Sequence, residues 1–267
     1  MRIGWVGVGT IGLPMMARVA AAGHRVSAVD KDAARAALAA QSGVSLAASG
    51  AELARDCDVV VLNLPGATAV TDVVFGADGC VAGGMTGKLL IDTSSIDPVL
   101  TRELAARLAD AGGRWVDAPV SGGVHAAGEG KLVAFVGGAE SDVTAAQPWL
   151  ACFCGRQTWL GPSGSGQWAK LVNQAIVCGT IALWSDAMTL AQAGGLDPSR
   201  LVDALADSGA DSRVRAAFGA RIAAGDFVPS DNLAKDIATI LARLDDTGAD
   251  ATLLRAVGAA IEAMRRG

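Results

Sequence analysis

The sequence predicts a two-part chain: an α/β N-terminal domain built on a doubly wound, mostly parallel sheet, and an all-α C-terminal domain joined to it by a long helix. Three observations carry this. A glycine-rich turn, Gly7 to Gly12, sits between an apolar run and a helical stretch at the start of the chain. Over roughly the first 160 residues, short runs of Val, Leu and Ile alternate with helical stretches, as parallel strands covered by helices on both faces do. After Gly161-Pro162-Ser163-Gly164-Ser165-Gly166 the strand signals stop.

Taken in order, the expected strands are residues 3–6, 25–29, 59–64, 89–92, 115–118 and 132–136. Most are continuous apolar runs rather than alternating ones, which suits burial on both faces. Helical stretches lie between them at 13–22 and 98–111, the second opened by Asp97 as N-cap with Pro98 in the first turn. Residues 167–193 read as one long helix that stops at Gly194-Gly195, and Asp197-Pro198 opens the next. Further helices are expected at 213–224, 232–244 and 251–265. The domains are therefore expected at 1–162 and 163–267, with the glycine-rich segment as hinge.

Composition narrows the function classes. The chain has 267 residues, 51% hydrophobic, which is ample for a sizeable core. The net charge of −5, with no basic run, argues against nucleic acid as a partner. Five scattered cysteines, Cys57, Cys80, Cys152, Cys154 and Cys178, argue against a disulfide framework. Cys152-Phe-Cys154 lacks the spacer of common metal pairs, and with only His24 and His125 no metal site is expected. The apolar run 175–184 is too short to span a bilayer and reads as a buried helix. Arg2 precedes an apolar stretch, but Gly4, Gly7, Gly9 and Gly12 break it as a strand and turn would, so a cytoplasmic protein is expected.

The sequence Gly7-Val-Gly9-Thr10-Ile11-Gly12 follows the first strand and opens the first helix. In such a turn the first glycine permits the tight bend, the second lets the backbone approach a pyrophosphate, and the third lets helix and strand pack closely. Thr10 and Ile11 lead into the helix N-terminus, whose N–H groups and partial positive charge suit phosphates. This is the turn of a Rossmann domain, and it implies a dinucleotide cofactor. Asp30 ends the second strand, where a carboxylate accepts both ribose hydroxyls and repels a 2′-phosphate, so NAD is favoured. Lys31 and Arg35 nearby offset that repulsion and leave NADP possible.

Two further motifs suggest the chemistry. Asp117-Ala-Pro-Val-Ser121-Gly122-Gly123 is expected to continue the fifth strand past its carboxyl end, where ligands bind in open α/β sheets. A hydroxyl from Ser121 and turned-out N–H groups at Gly122 and Gly123 suit a small carboxylate. Lys170, Asn173 and Gln174 share one face of the long helix. A lysine on an otherwise apolar helix costs stability unless it is solvated, paired or functional.

Together these pieces resemble the β-hydroxyacid dehydrogenase family, which includes 3-hydroxyisobutyrate dehydrogenase, tartronate semialdehyde reductase and short-chain semialdehyde reductases. The likeness extends over Gly7-x-Gly9-x-x-Gly12-Leu-Pro-Met-Met-Ala, Ala22-Gly23-His24-x-Val26, Leu64-Pro65, Asp92-Thr93-Ser94-Ser95, Pro119-Val-Ser121-Gly122-Gly123, Gly164-x-Gly166-Gln-x-Ala-Lys170-x-x-Asn173 and Lys235-Asp236. The resemblance implies Lys170 as acid/base, Ser121, Gly122 and Gly123 as carboxylate cradle, and Asn173 as a substrate-orienting residue. Leu64, Pro65, Ser95 and Lys235 then lie near the cofactor. It also implies a small carboxylate substrate, 3-hydroxyisobutyrate best, and a helical domain that mediates a homodimer or homotetramer. The family pattern continues past Arg265-Arg266-Gly267 into a closing helix that this sequence does not carry, which bears on oligomer geometry and part of the substrate pocket. Other readings stay open: a tartronate or succinic semialdehyde reductase, an imine reductase of the same architecture, or a nicotinamide-binding module without turnover. The length excludes the large helical domain of a 6-phosphogluconate dehydrogenase.

Overall fold

A computed structural model of the chain describes residues 1–266. The chain divides into two compact units, Met1–Lys170 and Leu171–Gly267. The first opens with β1 (Arg2–Val6), α1 (Gly12–Ala21), β2 (Arg25–Val29), α2 (Ala33–Gln41), β3 (Ser45–Leu46), α3 (Gly50–Asp56) and β4 (Val59–Leu62). It continues through α4 (Ala67–Phe75), α5 (Cys80–Gly83), β5 (Leu89–Asp92), α6 (Pro98–Asp110) and β6 (Arg114–Asp117). These six strands form one parallel sheet in the order β3-β2-β1-β4-β5-β6. The order reverses between β1 and β4, and the carboxyl ends at such a switch point are where these folds bind ligands.

Alternation along the strands divides the core between the two faces of the sheet. Ile3, Trp5, Val59 and Val61 join Met15, Met16 and Phe153 on one side, while Val6, Val60, Leu62 and Leu90 join Leu53, Leu104 and Leu108 on the other. Both faces are covered, which is why the central strands read as unbroken apolar runs. Asp97 caps α6 as its spacing predicts, accepting from Val99 N at 2.8 Å and Leu100 N at 3.1 Å.

Beyond β6 the structure corrects the expected strand plan. The segment from Asp117 does not extend its strand, and residues 132–136 do not join the parallel sheet. Instead β7 (Val120–Ser121), α7 (Gly123–Glu129), β8 (Leu132–Val136), α8 (Glu140–Leu150) and β9 (Cys154–Trp159) follow, and the strands make a separate sheet in the order β7-β8-β9. Here β7 runs antiparallel to β8, and β9 parallel to it. Pro119 has no N–H to continue a ladder, and it separates the two sheets at this point. The sequence missed β9 because Gly155-Arg156-Gln157-Thr158 is polar and mostly exposed. It missed β3 because two exposed residues carry no period.

The long helix α9 (Ser165–Ala193) is followed by α10 (Pro198–Ala204), α11 (Arg213–Ala224), α12 (Asp231–Thr247) and α13 (Thr252–Arg266). Asp197 caps α10 through Ser199 N at 2.9 Å. In the second unit α10 packs on α11 and α12 on α13. Gly258 permits the latter approach: a Cβ there would lie 2.8 Å from Leu241 Cδ1. By length and composition alone α9 could cross a membrane, since it runs 29 residues with a mean hydropathy of 1.2 in its most apolar window. The run 175–184 therefore understated the apolar helix around it. Even so, α9 buries one stripe, Leu171, Ala175, Cys178, Ile181, Trp184 and Met188.

All five cysteines are free thiols, and burial pushes Cys80 and Cys154 up to about 12, so these two remain protonated core residues. Among the described residues, no cluster of three or more His, Cys, Asp and Glu has metal-binding geometry.

Candidate active site

The glycine turn is held from three sides. The buried Trp5 indole donates to Gly7 O at 3.0 Å, Gly7 N donates to Val29 O at 3.1 Å, and Asn63 N donates to Val6 O at 2.8 Å. Gly7 has φ of +90°, and a Cβ there would lie 2.2 Å from Asn63 O. At Gly12 a Cβ would lie 2.3 Å from Gly7 O. Gly9 differs: its nearest such neighbour is Arg35 Nη1 at 3.7 Å, so its backbone stays approachable. Ile11 is the N-cap of α1 and makes no side-chain cap; Leu13 N donates to Gly9 O at 3.0 Å and Pro14 has no N–H, so the first turn offers Gly12 N, after exposed Thr10, to an outside acceptor. One open glycine between two closed ones, at an uncapped helix start, fits the pyrophosphate of a dinucleotide.

Asp30 does more than end β2. Its carboxylate accepts from Val8 N at 2.7 Å and from Asp32 N at 2.9 Å, tying the glycine turn to the end of the strand. Each carboxylate oxygen keeps a second lone pair for a ribose hydroxyl. Lys31 is exposed beside it, and Arg35 pairs with Asp32 at 3.6 Å.

The next two strand ends are clamped together. Thr93 N donates to Leu62 O at 2.9 Å, Asn63 Nδ2 to Thr93 Oγ1 at 3.0 Å, and Leu64 N to Ser94 Oγ at 2.9 Å. Leu64 and Pro65 thus leave β4 beside Ser95, which is half-buried after β5.

Lys170 is buried, 8% exposed, and its Nζ donates to Val120 O at 2.9 Å. That carbonyl immediately precedes Ser121, so the ammonium is brought to the Ser121-Gly122-Gly123 loop. Gly122 and Gly123 have φ of +133° and +76°, which turns the loop into α7, whose N-cap Gly122 makes no side-chain cap. Two residues that the sequence reading left without a role organise this corner. Asp117, fully buried, accepts from Gly164 N at 2.8 Å and Gln167 N at 3.0 Å. Burial pushes its carboxyl up, and the amides of Gly164 and Gln167 pull it back. Gln167, 1% exposed, donates through Nε2 to Ser94 O at 2.8 Å and accepts from Ile96 N at 3.2 Å. The start of α9 is therefore fastened both to the Ser94–Ile96 turn and to Asp117. A glutamine on an apolar helix start was the available signal for this.

The second unit holds its own polar cluster. Asn173 Nδ2 donates to Gln174 Oε1 at 2.9 Å, Gln174 Nε2 donates to Asp236 Oδ2 at 2.8 Å, and Asp236 pairs with Lys235 at 3.5 Å. Asn173 and Lys235, both expected at the site, are thus joined through Gln174 and Asp236. His125, by contrast, faces solvent on α7 and contacts Glu129 at 3.1 Å.

Fold and site together define an NAD(P)-dependent oxidoreductase. Residues 2–161 match the family described as the NAD binding domain of 6-phosphogluconate dehydrogenase. Residues 164–267 match the one described as NAD-binding of NADP-dependent 3-hydroxyisobutyrate dehydrogenase. The chain is 34% identical to 2-hydroxy-3-oxopropionate reductase of Escherichia coli over 88% of this chain and 80% of that one. It is 35% identical to mitochondrial 3-hydroxyisobutyrate dehydrogenase of Mus musculus over 76% of this chain, spanning 61% of the mouse enzyme's length. A solved structure of Mycobacterium tuberculosis 3-hydroxyisobutyrate dehydrogenase with L-serine superposes with a TM-score of 0.83 at 30% identity, covering 96% of this chain and 91% of that one. The chain belongs to the β-hydroxyacid dehydrogenase family, whose members act on small molecules.

Proposed function

We propose that this chain oxidises a small 3-hydroxy carboxylate, 3-hydroxyisobutyrate first among them, with NAD as oxidant and Lys170 as general base. The observation that carries this reading is the buried Lys170 amine on the Val120 carbonyl, one residue from the Ser121-Gly122-Gly123 turn. When bound, the nicotinamide supplies a carbon that accepts a hydride. The protein's own residues bind, orient and move the proton. Ser121, Gly122 and Gly123 hold the substrate carboxylate through a hydroxyl and N–H groups. As the C3–H bond gives up its hydride, Lys170 takes the proton of the C3 hydroxyl, and an aldehyde is left; in reduction the same amine returns it. Asn173 takes the substrate-orienting role and Lys235 the cofactor-side role that the family resemblance assigns. L-serine, bound in the mycobacterial relative, is itself a 3-hydroxy acid and supports the substrate class.

NAD is the proposed cofactor because Asp30 opposes a 2′-phosphate. Arg35, close to Gly9, supports the second reading, NADP. Nicotinamide reduction should be followed with 3-hydroxyisobutyrate, glycerate and L-serine, each with both cofactors. The expected result is fastest turnover of 3-hydroxyisobutyrate with NAD. Preference for glycerate would favour a tartronate semialdehyde reductase instead, and NADH binding without turnover of any acid would favour a non-catalytic module. The five free thiols support a cytoplasmic setting.

Self-association belongs to the same proposal. Val172, Ile176, Leu183 and Leu190 are 59%, 66%, 65% and 75% exposed on α9, and the last three repeat every seven residues. Large apolar side chains at that spacing suit a helix from a second copy, giving a homodimer or homotetramer. Leu183→Glu is expected to dissociate the wild-type assembly in sedimentation equilibrium; a wild-type chain that sediments as a monomer would remove the idea.

A further inference from the structure

Asp117 is held through its backbone and its side chain alike. Its backbone pairs with Gly137 in both directions, N to O at 3.0 Å and O to N at 2.8 Å, and Ala118 N donates to Asp92 O at 2.7 Å. Its side chain is pressed on by glycines: a Cβ at Gly137 would lie 2.6 Å from Oδ1, and one at Gly166 would lie 2.8 Å from Oδ2. The carboxylate spends both oxygens on Gly164 N and Gln167 N, the amides that begin α9. Three residues after Gln167, or about 4.5 Å along the helix axis, comes Lys170. Three residues after Asp117 comes Val120, whose carbonyl receives the Lys170 amine. The result is a closed ring: Asp117, its own chain to Val120, the Lys170 side chain, and one turn of α9 back to Asp117.

We infer that Asp117 is a positioning residue for the reaction, setting where Lys170 stands relative to the substrate loop through the first turn of α9. The inference rests on Lys170 being the acid/base. A helix start held by its own N-cap could swing as a unit; here the cap comes from the strand that leads into the substrate loop, so loop and helix cannot move apart without breaking it. Each contact joins an oxygen of this fully buried side chain to a backbone N–H, where no water competes for it. Gln167 adds the third support, through Ser94 and Ile96.

Asp117→Asn keeps the shape but offers one acceptor and an NH₂ group, so Gly164 N or Gln167 N must face a donor. The start of α9 is then displaced, and displacements near 1 Å cost about 100-fold in rate. The test is a double-mutant cycle. Asp117→Asn is expected to lower kcat by about 30- to 100-fold in the wild-type background and by less than about twofold in a Lys170→Ala background, because the lysine it positions is gone. KM and NADH affinity should change little in both. Equal losses in the two backgrounds, or a loss that appears in KM and NADH binding as much as in kcat, would mean that Asp117 only holds the fold. If Asp117→Asn does not fold, Gly137→Ala pushes on the same carboxylate without removing it and should show the same kcat-specific, Lys170-dependent loss; loss in both backgrounds again overturns the inference. Full turnover in Lys170→Ala alone would instead sink the acid/base reading, and the cycle tells the two failures apart.

Discussion

Replacing Lys170 with alanine is expected to lower kcat for the hydroxy acid by about 1000-fold while NADH affinity stays within about threefold. The alcohol proton has to leave as the hydride does, and a positioned amine is the group the chain offers beside the substrate loop. Lys170 is 8% exposed and its amine is held by the Val120 carbonyl, so water does not readily replace it. The cofactor contacts proposed here lie on other segments, at the ends of β1, β2, β4 and β5 and at Lys235 on α12, so binding of NADH and chemistry should separate. Fluorescence titration with NADH and steady-state kinetics on the same preparation measure both. A variant with unchanged kcat would remove Lys170 from the mechanism.

The second large effect is expected at the glycine turn, where two substitutions should behave differently. Gly12→Ala sets a Cβ 2.3 Å from Gly7 O, the carbonyl that also accepts from the Trp5 indole, and 3.1 Å from Asn63 Oδ1. Neither β1 nor α1 can withdraw, because Ile3, Trp5, Met15 and Met16 are packed in one core. Overpacking of this kind costs about 2 kcal/mol, so a lower melting temperature and loss of NADH binding are expected together. Gly9→Ala meets nothing nearer than 3.7 Å, so it should fold normally and lose affinity only because its methyl occupies the approach to the pyrophosphate. Calorimetry with NADH titration of the two variants checks the contrast. Equal stability loss in both would mean that the turn is purely structural.

The legible parts of this chain were those whose cause is local. The glycine turn, the Asp97 and Asp197 caps, and the Gly194-Gly195 stop each follow from backbone chemistry within a few residues, and the structure has them. The buried central strands were legible because two covering layers leave no polar face. The second sheet was not: β7 is two residues, β9 is polar, and only their pairing with β8 makes them strands. The same holds at the site. Lys170 and Ser121 stand out by residue type and motif, whereas the importance of Asp117 and Gln167 lies in partners about 50 to 70 residues away, a separation across which periodicity carries no signal. Likewise Asn173 and Lys235 were named singly, and the Gln174–Asp236 bridge between them appears only in the folded unit.

Hydride transfer from carbon 3 of a 3-hydroxy acid can be followed atom by atom with isotopic labelling. With 3-hydroxyisobutyrate carrying deuterium at carbon 3, deuterium is expected on C4 of the reduced nicotinamide by mass spectrometry and NMR, with none exchanged from water. Formation of the aldehyde without label on the nicotinamide, or no reaction despite NADH binding, would contradict it.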